Sequence, residues 1–180
     1  MTERPQAIVA FWLEAGPKKW FTKDPAFDDA IRALFLPTYE AAAAGKLAEW
    51  ESTAEGALAL LIVLDQLPRN MFRGSARTFA ADPLARQVAD RAIAKGFDQA
   101  VRPIERQFFY LPFEHSESMP DQEKCIALFR ASGDAESLKW ADLHADIIRK
   151  FGRFPHRNAA LGRVTTPEEQ AFLDDGGFAG

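Results

Sequence analysis

Three stretches of this chain concentrate the side chains that could bind or transform a ligand. They are Asp65-Gln66-Leu67-Pro68-Arg69-Asn70-Met71-Phe72-Arg73-Gly74, Phe108-Phe109-Tyr110-Leu111-Pro112-Phe113-Glu114-His115-Ser116-Glu117 and Phe151-Gly152-Arg153-Phe154-Pro155-His156-Arg157-Asn158. Each mixes charged groups with aromatics and helix breakers, and together they predict one polar site assembled from three distant loops. Arg69 and Arg73 in the first, with Arg153 and Arg157 in the third, present planar forks suited to carboxylate or phosphate. Asn70, Asn158 and Tyr110 could add directional hydrogen bonds to an anionic small molecule or peptide. Asp65, Glu114 and Glu117 compete for the same arginines, so a structural arginine–carboxylate network stands beside the ligand site as a second reading.

Catalysis would rest on an imidazole. His115 and His156 are the candidates for a general base, with the arginines stabilising a developing oxyanion. His144 falls on an apolar helix face. The histidines match no zinc-binding spacing with Glu114, Glu117 or Asp146, so no metal is expected. Glu114-His115-Ser116-Glu117 holds triad residue types, but sequence neighbours rarely point at a common atom. Gly152, Gly162 and Gly176-Gly177 lie in no phosphate-cradling motif, and no cofactor is expected. Cys125 cannot form an internal disulfide, being alone, and its place beside Ile126 and near Phe129 marks it as a small buried hydrophobe.

The 180 residues suit a single domain, 1–180, that buries enough apolar surface to fold without staples. A net charge of −4 argues against a dedicated nucleic-acid binder. Charge is unevenly spread: residues 144–163 carry +4 and residues 114–136 carry −4, which predicts that the two segments pack together and compensate. No signal-peptide pattern follows Met1, and the longest apolar run, residues 57–64, is too short to span a bilayer. A cytoplasmic protein with no membrane partner is the expectation; oligomeric state stays open.

The elements that must position these residues are helices. Pro5 and Asp24-Pro25 open the first two, and Gly16-Pro17 and Gly45 close them, with a kink or an early break expected at Pro37. Ser52 or Thr53 starts an almost wholly apolar helix, the most buried one, which should end near Leu67-Pro68. Asp82-Pro83 repeats the start signal, and Gly96 stops that helix. Pro103 opens another that should halt around Pro112. Ser118 or Asp121 caps the next, and Asp134 caps a helix in which Trp140, His144, Ile147 and Phe151 recur at helical spacing. Such stripes are mostly core, although an exposed part can form a peptide groove. Thr166-Pro167-Glu168-Glu169 reads as a capping box for a last short helix, and residues 175–180 should fray. About eight helices joined by mostly short loops make an all-α fold of antiparallel pairs.

The three polar segments, in this order, resemble the signature segments of an uncharacterised bacterial family, domain of unknown function 924. The resemblance extends from Phe11-Trp12 to Glu168-Glu169. It implies a fold similar to a tetratricopeptide-repeat right-handed superhelix, although the repeat consensus is not legible here, and it implies no particular activity. The leading functional expectation is a helical scaffold binding an anionic ligand or partner peptide on a concave side. That side would be lined by Asp65, Arg69, Asn70, Arg73, Tyr110, Glu114, His115, Arg153, His156, Arg157 and Asn158. The alternatives are a small hydrolytic or acid–base enzyme using His115 or His156, and a structural or oligomerisation module.

Overall fold

A computed structural model describes residues 2–178, whose regular structure consists of helices and helical turns alone. The chain reads as one domain in sequence; its contacts fall in two compact units, one running to Arg73 and from Arg77 to Pro112, the other holding Gly74–Ala76 and everything from Phe113 onward. Ala179 and Gly180 of the segment expected to fray lie outside the described residues. No helix is long and apolar enough to cross a membrane.

The first unit holds α1 (Pro5–Ala15), α2 (Pro17–Trp20), α3 (Pro25–Ala43), α4 (Ala54–Leu61), α5 (Leu67–Met71) and α6 (Asp82–Ala94), and α7 (Pro103–Glu114) as far as Pro112. Local chemistry places most boundaries. The Asp24 carboxylate accepts from the N–H groups of Ala26 and Phe27 at 3.1 and 3.2 Å, satisfying donors that a helix start leaves orphaned. The Thr53 hydroxyl does the same for Gly56 at 3.1 Å. Gly56 has to be glycine, because a Cβ there would run into the Trp50 carbonyl. Residues Gly56–Leu61 of α4 are all buried, and α4 packs on α1 and α6. Burial of each large apolar side chain there is worth about 1.5–3 kcal/mol.

Two prolines lie inside helices. α3 runs through Pro37 without an early break, and α7 ends at Glu114, just past Pro112. Both prolines are flanked by buried aromatics, Phe35 and Tyr39 in one helix, Phe109 and Phe113 in the other, and this packing outweighs the lost hydrogen bond. The helix expected to stop at Leu67-Pro68 also continues. A single π turn, Ile62–Gln66, precedes α5, and the Leu67 N–H reaches back to the Ile62 carbonyl. The wider turn accommodates Pro68, which has no N–H and whose ring crowds the preceding turn.

The second unit is built on α8 (Met119–Ser132), α9 (Ala135–Phe151) and α10 (Pro167–Asp174). Gly133, at φ +75°, and the Asp134 cap join α8 to α9 as a tight antiparallel pair. The capping box of α10 is complete: the Thr166 hydroxyl accepts from Glu169 N–H at 3.2 Å, and the Glu169 carboxylate accepts from Thr166 N–H at 2.8 Å. After α10, Gly176 and Gly177 turn the chain back. The Phe178 ring then lies 4.5 Å from His144 and 5.3 Å from His156, so this part of the segment expected to fray is packed.

Candidate functional site

In the first polar segment every charged side chain has an acidic or basic partner within its own unit. Asp65, fully buried on the π turn, receives Arg69 at 3.2 Å and the Gln66 amide at 2.5 Å. Arg69 also donates to the Asp65 carbonyl, and its fork lies on Asp82 at 3.2 and 3.1 Å. Asp82 was expected to cap α6; the cap position is instead Ala81, and the carboxylate is turned to the arginine. Asp28 gathers the rest, accepting from Asn70 at 2.8 Å and from Arg73 at 2.5 and 3.1 Å. Neither Asp28 nor Asp82 is in a polar segment of the sequence. Their only signal was an acid in a first helical turn, which the macrodipole explains equally well.

Tyr110 belongs to the same unit and donates to Asp98 at 2.8 Å. Burial, with that hydrogen bond, pushes its phenol still further above its ordinary range, so it is a donor rather than a proton source.

Within the second unit the middle and last segments do meet. Glu117 accepts from Phe154 N–H at 2.8 Å and from both Arg163 terminal nitrogens at 2.7 and 2.9 Å. Burial raises the Glu117 carboxyl, but these donors outweigh it and the net displacement is downward. This pair joins the oppositely charged stretches. Arg153 forks onto Glu169 at 2.6 and 2.9 Å and donates to the Val164 carbonyl at 2.8 Å, while Asn158 adds a bond to Glu169 at 3.1 Å. Arg153, ahead of the Thr166 N–H and Asn158 and against desolvation, holds the Glu169 carboxyl at about 2. Buried Arg157 lies with its guanidinium carbon 4.6 Å over the Phe154 ring. His156 is half-buried between Phe154 and Phe178.

The four neighbours Glu114 to Glu117 face different partners. Glu114 is buried 3.4 Å from His144 Nδ1, which also contacts the Trp140 carbonyl at 2.8 Å. His115 is half-buried in the turn after α7. The Ser116 hydroxyl donates to Asp121 at 2.6 Å, and Glu117 holds Arg163. Among the described residues, no group of three or more His, Cys, Asp or Glu side chains is placed to hold a metal ion. Cys125 is fully buried, and desolvation, then the Glu114 carboxylate 4.0 Å away, pushes its thiol well up. It is therefore expected to react with an aromatic disulfide reagent on the order of 100-fold more slowly in the native protein than in denaturant. Equal rates would place the thiol in contact with solvent.

One feature lies outside the polar segments. A groove between α9 and α10 is lined by Leu143, Ile147, Phe151, Phe172 and Phe178, and Trp140 continues the same face of α9 one turn earlier. Trp140 is 48% and Leu143 38% exposed. The spacing that produced this stripe was visible in the sequence, but its exposed part was not.

The described family of bacterial proteins of unknown function, DUF924, matches residues 8–177. The chain belongs to this family. The DUF924 protein also resembles a solved structure of a protein of unknown function from Agrobacterium tumefaciens. That structure is 49% identical with a TM-score of 0.92, over 95% of this chain and 97% of the other. No curated protein matches the sequence. The solved neighbour shares this helical fold, and the chemistry has to be argued from this DUF924 protein's own side chains.

Proposed function

We propose that this protein is a binding scaffold of the tetratricopeptide-like kind, and that its ligand is a basic amphipathic helix of a partner protein seated in the α9–α10 groove. The observation that carries this reading is the exposed apolar stripe Trp140–Leu143 leading into Phe151 and Phe172. Water against such a stripe is costly, and helical grooves bury it by accepting a partner helix through anchors at i, i+3, i+4 and i+7. Phe178, folded back onto His144, forms the wall at one end of the groove. The rim selects charge. Asp142, Glu168 and Asp175 are exposed around it, and Asp146 is paired with Arg149; of the lysines, Lys139 is engaged by Glu136 at 3.1 Å and Lys150 lies 4.9 and 5.8 Å from the Phe151 and Phe172 ring centres.

An anionic ligand on Arg69, Arg73 or Arg153 would have to displace Asp82, Asp28 or Glu169, each already bonded in fork geometry. The polar segments thus support the scaffold, and the groove supports binding.

The test is a titration with a model Leu/Lys amphipathic helix and its Leu/Glu counterpart, followed by tryptophan emission. The Leu/Lys peptide is expected to shift the Trp140 emission to the blue, and Leu143→Asp to weaken binding about tenfold or more without lowering the melting temperature. Equal affinity for the Leu/Glu peptide, or indifference to Leu143→Asp, would overturn the proposal.

A further inference from the structure

The corner between α2 and α3 carries an aromatic side chain outward among lysines. Phe21 is 64% exposed, more than any other large aromatic described. Both sides of it are tied down. The preceding Trp20 is buried, with its indole N–H donating to the Trp12 carbonyl at 2.5 Å, its ring stacked on Trp12 at 6.0 Å and set edge-on to Phe108 at 5.0 Å. Asp24, three residues later, is fixed as the cap of α3. Phe21 is therefore held out by a backbone anchored on either side.

Its neighbours in the chain are basic. Lys18, Lys19 and Lys23 are all exposed, Lys19 with its ammonium 5.3 Å from the Phe27 ring centre, and residues 17–24 carry a net +2 in a chain whose net charge is −4. Asp24, the one acid of those eight residues, is turned onto the N–H groups of Ala26 and Phe27. Ile104, 44% exposed, sits on α7 one turn before Phe108, on the side that meets Trp20.

We propose that this corner is a membrane-surface contact: Phe21 enters the headgroup–acyl boundary of an anionic bilayer while Lys18, Lys19 and Lys23 meet lipid phosphates and carboxylates. An aromatic ring gains by leaving water for that boundary, and lysines extend their alkyl stems along it with the ammonium groups at the charged surface. A protein partner would need complementary apolar area around the ring, of the order of 800 Å² on each side for a stable complex. Phe21, with half-exposed Ile104, offers only a small apolar area, and a bilayer receives such a wedge without a matching cavity. The absence of a spanning run, which led to the expectation of no membrane partner, does not bear on a surface contact. One ring and three lysines give reversible, salt-sensitive binding rather than anchorage.

The test uses the full chain with vesicles of phosphatidylcholine alone and of phosphatidylcholine with about one-third phosphatidylserine. The protein is expected to co-sediment with the anionic vesicles at low salt, to remain in solution with the neutral ones, and to be released by added salt. Phe21→Ser should reduce binding about fivefold or more, and the double variant Lys18→Glu with Lys23→Glu should abolish it. All three positions are exposed, so melting temperatures should stay unchanged. In Phe21→Trp, emission should move to the blue on anionic vesicles alone. Absence of co-sedimentation would overturn the proposal. So would Phe21→Ser binding like the wild type, which would leave only diffuse attraction between charges.

Discussion

Arg69→Ala is expected to lower the melting temperature of the first unit by about 10 °C, the largest effect of any single arginine substitution outside the second unit. The side chain itself is 21% exposed, yet it faces Asp65 and Asp82, whose side chains are 0% and 7% exposed. Truncation removes the guanidinium that both buried carboxylates share, and removing one partner of a buried pair costs about 3–5 kcal/mol. The comparison is Arg91→Ala. Arg91 makes an equally well-formed fork onto Glu51, at 2.7 and 2.8 Å, but at 47% exposure its loss should shift the midpoint by no more than about 2 °C. Calorimetry on both variants distinguishes a buried framework from a surface pair. A shift below about 2 °C for Arg69→Ala would mean that water already reaches Asp65, and would reopen the arginine as a ligand contact.

Glu169→Gln is expected to change how the second unit responds to acid. The folded-state carboxyl titrates at about 2 against an ordinary 4.5, because Arg153, the Thr166 N–H and Asn158 all donate to the ionised form. A depressed folded value means stability that is fully present above pH 4.5 and is lost as pH falls through about 2. The wild type should therefore lose protection in α10 progressively across that window. Glu169→Gln should cost about 2 kcal/mol at neutral pH, where charge-assisted bonds are replaced by neutral ones, and should show a shallower acid slope. Hydrogen exchange of the α10 amides at a series of pH values measures both. The Glu117 carboxyl, also displaced downward, contributes a slope common to the two proteins, so the difference between them isolates Glu169. An unchanged slope in the variant would remove Glu169 as the linked group.

The sequence alone determined the helices and most of their ends. Pro5, Asp24-Pro25, Asp134 and the Thr166–Glu169 box act within one helical turn, satisfying orphaned backbone donors or presetting a dihedral, and such interactions need no tertiary context. It also determined which helix is buried, since α4 is apolar on all sides, and which arginines and acids are concentrated in three segments. Tertiary structure decided everything that depends on partners distant in the chain. Pro37 and Pro68 do not end helices because packed aromatics, or a π turn, compensate for one missing hydrogen bond. Asp82 forsakes its cap for Arg69, and Asp28, unremarkable in sequence, becomes the acceptor for both Asn70 and Arg73. The same rule governs function. A guanidinium has the same chemistry whether it awaits a ligand or is held by Glu169, and a stripe such as Trp140, Leu143, Ile147 and Phe151 has the same period whether covered or open. Periodicity reports which residues share a face; only the packing around that face decides whether it meets core, solvent or a partner.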